Sequence, residues 1–160
     1  MQFTGLLSDK LEMLNLLHWI APIIIALMYI SLSSLLAEPA RQKFNAVMIA
    51  GAGAAYLSGG FGGFEFAFTT VMTYLAYQGL HDYRCIGAGW LLHTVWDFAH
   101  FLYGNPIVPF AATSSFGCAI CDPVIAIWCF MGAPSLFDRF RRTPTAGSKP
   151  ASAAVVADRT

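Results

Sequence analysis

Charge is what this chain has least of. Asp, Glu, Lys and Arg make up 11% of its 160 residues, against 57% hydrophobic residues. Soluble domains run near a quarter charged, so a water-covered surface is hard to build from this composition. The nine Lys and Arg are balanced by nine Asp and Glu, which leaves no basic footprint and excludes a nucleic-acid partner. Only one Cys-x2-Cys occurs among the four cysteines, so a four-cysteine zinc ribbon is excluded. No internal repeat is visible. None of the apolar stretches carries a polar face wide enough for water, which argues against a soluble helical core.

What the chain does have is five apolar runs, at 13–36, 44–60, 64–80, 85–103 and 116–133. A membrane helix needs about 20 residues, with a range of about 17–25, and backbone groups in lipid must be paired internally. The runs therefore predict an all-α polytopic membrane protein with five transmembrane helices. Residues 1–12 form a short leading segment, 13–137 the helical domain and 138–160 a basic, then Ala/Ser/Thr/Pro-rich tail that cannot bury a core. The first run is too long, and its leader too weakly basic, for a cleaved signal peptide.

Orientation follows the Lys/Arg bias of short links. Threading the runs alternately puts Arg41, Lys43, Arg84, Arg139, Arg141, Arg142, Lys149 and Arg159 on one side and Lys10 alone on the other. That predicts an N-out, C-in protein of the cytoplasmic (inner) membrane. The short link 58–63 also admits a re-entrant pair for helices two and three, which the charge count does not distinguish from two crossings.

Local signals refine the elements. Pro22 falls inside the first run and Glu38-Pro39 ends it. Gly51, Ala55 and Gly59 recur at four-residue spacing, a stripe that lets another backbone approach. Gly104 before Asn105-Pro106 suits a left-handed helix cap. Asp122-Pro123 also admits a later start for the fifth helix, as an N-cap followed by Pro at the first helical position, which would put Cys118 and Cys121 in the preceding loop or in a short separate turn. The uncharged link 104–115 reads as a cover.

The sharpest feature is His93, Asp97 and His100, at i, i+4 and i+7. At 3.6 residues per turn they share an arc of roughly 60°, with Leu91, Val95, Phe98 and Leu102 pointing away. Ionisable residues inside a membrane mark function by default, because burying them is costly. Taking about 1.5 Å per residue, His100 and His18 both lie about 10 Å outward of their helix centres. Asp97 and Asp122 lie nearer the middle, and Glu65 opens the third helix. Imidazole and carboxylate donors suit zinc or iron. The leading expectation is a metal-dependent membrane enzyme acting on a lipid or other apolar substrate in the outer half of the bilayer. His93, Asp97, His100 and His18 hold the metal, and Glu65 or Asp122 acts as base. The alternatives are a non-catalytic complex subunit or small proton- or ion-coupled transporter, or a thiol–disulfide redox protein working through Cys118 and Cys121, a pair that otherwise reads as a loop-locking disulfide. Each His and Asp also has a purely structural reading, as helix glue, dipole complement or cap. Membrane lipids are the expected surroundings, and a homo-oligomer or complex partner is consistent with the small enclosed volume.

Three segments carry a resemblance. They are Gly51-Ala52-Gly53-Ala54-Ala55-Tyr56-Leu57-Ser58-Gly59-Gly60, Gly89-Trp90-Leu91-Leu92-His93-Thr94-Val95-Trp96-Asp97 and Cys118-Ala119-Ile120-Cys121-Asp122-Pro123. Over residues 38–137 the chain resembles a small bacterial multi-pass membrane family catalogued only as a domain of unknown function. The resemblance implies a bacterial inner-membrane protein and transfers no activity and no functional residue.

Overall fold

The computed structural model describes residues 8, 10–12, 14–57 and 60–138. Expectations for the basic tail beyond Asp138 and for Gly59 fall outside them. The described chain is all-α. Its five long helices are α1 (Leu16–Ser33), α2 (Ala40–Ala54), α3 (Phe64–Gly79), α4 (Tyr83–Tyr103) and α5 (Ser114–Phe130).

Side-chain caps set the starts of two helices, α1 and α4. α1 begins three residues into its apolar run, because the Asn15 side chain accepts from the Leu17 and His18 amides. The His18 ring in turn accepts from the Asn15 amide, closing a reciprocal cap. α2 starts at Ala40, four residues before its apolar run. It stops at Ala54, short of the glycine-rich link. Asp82 caps α4 by accepting from the Arg84 amide, and Gly104 ends α4 at φ 76° as the left-handed cap.

α5 follows its apolar run of 116–133 closely and does not take the later start that Asp122-Pro123 admits. It begins at Ser114, and Pro123 sits inside it. Asp122 is therefore a mid-helix residue and not an N-cap, and Cys118 and Cys121 are helical. The start is set by the link before it, which folds back onto two serines. Ser114 and Ser115 hydroxyls accept from the Val108 and Ile107 amides, and Ser115 donates to the Asn105 carbonyl.

Cross-helix contacts show that neighbours in sequence run antiparallel. The Thr69 hydroxyl donates to the Gly53 carbonyl, and Gln42 to the Gly79 carbonyl, at opposite ends of the α2–α3 pair. α1 and α5 run in the same direction. Trp19 meets Phe116 near their starts, and Ser135 bonds the Ser34 carbonyl beyond their ends. α4 packs most extensively on α5 and also touches α2 and α3, so its polar face looks into the bundle.

Two packing expectations change. Gly51 and Ala55 are exposed and nothing lies within 4 Å of a Cβ at Gly51. The close approach is at Gly53, where a Cβ would stand 2.3 Å from Met72 Cβ. Leu102 is 7% exposed, in a small cluster with Phe101 and Phe116, while Leu91, Val95 and Phe98 face outward.

An apolar core runs through the bundle, with Ile30, Ile49, Phe68, Met72, Ile86, Trp90 and Ile125 buried in it, yet large hydrophobics also cover the outside and several polar groups are buried. Ile23, Ile24, Ile25, Val47, Phe66 and Val95 are among many exposed large hydrophobics. Asn45, Glu65, His93, Asp97, His100 and Asp122 are buried. Among the described residues, Leu16–Ser33 is the one helix both long and apolar enough to cross a membrane, with mean hydropathy 1.9. Ser114–Phe130 is apolar but shorter.

Candidate functional site

The i, i+4, i+7 spacing on α4 turns His93, Asp97 and His100 inward, and all three are 3% exposed or less. α5 presents Asp122 to the first two. His93 Nδ1 stands 2.8 Å from Asp97 Oδ2 and 2.8 Å from Asp122 Oδ2. One donor atom from each of the three residues lies within 4.8 Å of the others. The far ring nitrogen, Nε2, is 3.0 Å from the Ala52 carbonyl oxygen.

That last contact fixes the tautomer. A carbonyl oxygen only accepts, so Nε2 carries a proton. Nδ1 then has either a second proton or a bare lone pair. A lone pair facing two ionised carboxylate oxygens at 2.8 Å is repulsive on both sides, so a proton or a cation belongs between them. A proton on Nδ1 is in line for Asp122 Oδ2, but Asp97 Oδ2 is left fully buried with no hydrogen-bond partner. A metal ion can satisfy all three atoms at once, with Nε2–H held by the backbone as an outer-shell partner.

His100 and Glu65 form a second group beside the first. Glu65, in the first turn of α3, accepts from the Phe61 amide on Oε1 (2.9 Å) and from Trp96 Nε1–H on Oε2 (3.0 Å). His100 Nε2 comes 3.1 Å from Glu65 Oε1, yet neither ring nitrogen of His100 makes a directed hydrogen bond. The contact is close but out of line, and we read it as an electrostatic neighbour only. Tyr56 joins the two groups. Its hydroxyl donates to Asp97 Oδ1 at 2.6 Å, and its ring stacks on His100 at 3.7 Å between centroids. Gly60 closes the group from the α2–α3 link. Its φ is 128°, and a Cβ there would lie 2.4 Å from His100 Cε1 and 2.8 Å from Glu65 Oε1.

The fold thus brings together His93, Asp97 and Asp122, and places His100 with Glu65. Seven residues separate His93 from His100, about 10 Å along the axis, which is why His100 meets α3 instead of His93's partners. His18 is not brought to either group. It caps α1 through Asn15 and lines a separate groove between α1 and α5. Cys118 and Cys121 are free thiols one turn apart in α5. Tyr56, Trp96 and Gly60 join the site although their sequence context marks them out for no role in it. Their only signal was a phenol, an indole and a glycine inside or beside the same motifs as His93 and Asp97.

A family model described as a family of unknown function (DUF6010) matches residues 17–135. The match covers the resemblance over 38–137 almost entirely and extends through α1. No curated protein and no solved structure matches the chain.

Proposed function

We propose, for this chain that belongs to the DUF6010 family, a polytopic inner-membrane protein that holds a divalent metal ion at His93, Asp97 and Asp122. The metal serves an enzymatic reaction on an apolar substrate. The membrane placement draws on the many large hydrophobics exposed on the outer surface and the ionisable groups buried inside, on the antiparallel succession of five helices, and on the Lys/Arg bias that gives an N-out, C-in course. α2 and α3, at 15 and 16 residues, rise only about 23–24 Å. The Gly60–Gly63 part of the link before α3 therefore reaches membrane depth, where non-helical backbone is tolerated if it is buried in protein.

The observation that carries the metal reading is Asp97 Oδ2, buried, 2.8 Å from His93 Nδ1 and without a hydrogen-bond donor. A tetrahedral metal with nitrogen and oxygen ligands at about 2.0–2.2 Å needs those donor atoms roughly 3.3–3.6 Å apart. The two 2.8 Å contacts of His93 Nδ1 therefore widen when an ion enters between them. One imidazole with two carboxylates is a hard donor set suited to zinc, iron or manganese. Three protein ligands leave a coordination position in which a metal activates water or polarises a carbonyl. Glu65, oriented by the Phe61 amide and the Trp96 indole, is the nearby carboxylate for proton transfer.

A second reading, a proton- or ion-coupled transporter or complex subunit, is favoured by closure: Asp97 and His100 are 0% exposed. Elemental analysis of detergent-purified protein separates the two. We expect one zinc, iron or manganese per chain, lost in His93→Ala and in Asp122→Asn while helicity is retained. Wild-type protein that stays metal-free after incubation with each of these ions would overturn the metal reading in favour of the proton-coupled one.

A further inference from the structure

The geometry points to the groove between α3 and α4 as the seat of a single hydrocarbon chain whose head is uncharged and hydrogen-bonding. The inference rests on the membrane placement proposed above, and not on which metal is bound.

The groove encloses about 310 Å³ and is lined by Phe64, Ala67, Phe68, Val71, Leu92 and Trp96, with no polar side chain except the indole. From Phe64 to Val71 it follows seven residues of α3, about 10 Å. Phe64 and Val71 are exposed, so it opens on the outer surface of the bundle. Its inner wall is the Phe68–Trp96 pair, rings 4.4 Å apart and 5° from parallel. Behind that wall stands the polar cluster. The Trp96 ring is 5.7 Å from His100 and its Nε1–H is on Glu65, while the Phe68 ring is 5.9 Å from His93. One aromatic pair therefore separates an apolar groove from both polar groups.

The head group follows from what the cluster lacks. Both ring nitrogens of His100 are buried without a directed hydrogen bond; Nε2 has the out-of-line Glu65 Oε1 at 3.1 Å, and Nδ1 has no partner. Buried polar atoms are almost always satisfied, so a ligand hydroxyl or amide displacing the Trp96 edge finds a ready partner there. Charge sets the limit. Glu65, Asp97 and Asp122 converge on this region, and the buried Arg41 pairs with Glu38 far along the bundle at the start of α2. With two positive charges on a metal, the three carboxylates still leave the region net negative. A carboxylate or phosphate head is repelled, and a neutral one is accepted. The substrate class is thus a neutral lipid with one chain in the groove.

Tryptophan quenching by a chain bearing bromine tests this. Protein in nanodiscs is titrated at pH 8 with 11-bromoundecan-1-ol and, separately, with 11-bromoundecanoate. The Trp96 signal is the difference between wild type and Trp96→Phe, which removes the contribution of the other indoles. We expect saturable quenching of Trp96 by the alcohol and at least tenfold weaker quenching by the carboxylate. Ala67 is exposed, so larger side chains there fill the groove without entering the core. Ala67→Phe should abolish the saturable quenching and Ala67→Leu should weaken it, with metal content unchanged in both. Equal quenching by the two probes, or saturable quenching untouched in both Ala67 variants, would overturn the inference. Metal content measured on the same samples keeps the outcomes apart: a metal-free wild type that still shows selective, saturable quenching sinks the metal reading and supports the groove.

Discussion

Tyr56→Phe isolates one hydroxyl. The phenol donates to Asp97 Oδ1 at 2.6 Å, and both groups are buried. The ring itself, stacked on His100 at 3.7 Å, is kept by Phe. Hydrogen bonds to charged groups contribute about 1.5–3 kcal/mol. Independently, outer-shell partners of metal ligands are worth about 10–100-fold in metal affinity, or about 1.4–2.8 kcal/mol. The two routes agree. The Kd for zinc, measured by competition with a chromogenic chelator in detergent, should rise 10–100-fold in Tyr56→Phe. Tyr83→Phe is the control. Its hydroxyl bonds Glu38 at the opposite end of α4, and it should leave zinc affinity within twofold of wild type. A Tyr56→Phe protein with wild-type zinc affinity would show that Asp97 does not hold the metal, and the tautomer argument at His93 would lose its consequence.

Two glycines should behave differently although both have positive φ. At Gly104 (φ 76°) the nearest atom to a Cβ is Lys10 Nζ at 3.6 Å, so Gly104→Ala should cost about 1 kcal/mol from backbone strain alone. At Gly60 the strain adds to a collision with His100 and Glu65. Gly60→Ala should cost about 2–4 kcal/mol and reorient His100; equal melting temperatures for the two variants would contradict this. For topology, a cysteine label after Asp138 should be blocked only when the cytoplasm is opened, and a label near Lys10 from the periplasm. Labelling of both from the same side would defeat the alternating course on which the membrane placement depends.

Much of this site was legible because helical period is a property of a single helix. His93, Asp97 and His100 share a face through spacing alone, and Leu91, Val95 and Phe98 on the same helix face outward, which turns the polar face into the bundle. The Gly104 cap was legible for the same local reason. The cap reading of Asp122 failed although Asp-Pro carries that meaning wherever nothing upstream competes. Here Ser114 and Ser115 tie the preceding link to an earlier start, and Pro123 is carried inside the helix. The small-residue stripe failed similarly. Spacing identified that α2 has faces a backbone can approach, but Gly53 rather than Gly51 meets Met72, since the facing helix is chosen by packing across the bundle.

Composition and period, then, determined on their own that this is an all-α chain with apolar helices and one inward polar face, because those features depend only on residues near one another in sequence. Which polar groups meet was decided by the tertiary structure alone. His93 finds Asp122 across 29 residues and Tyr56 finds Asp97 across 41, while His100 turns to Glu65 and His18 to its own helix end. Those pairings depend on helix order and rotation, which the summed packing of all five helices fixes and no local pattern encodes.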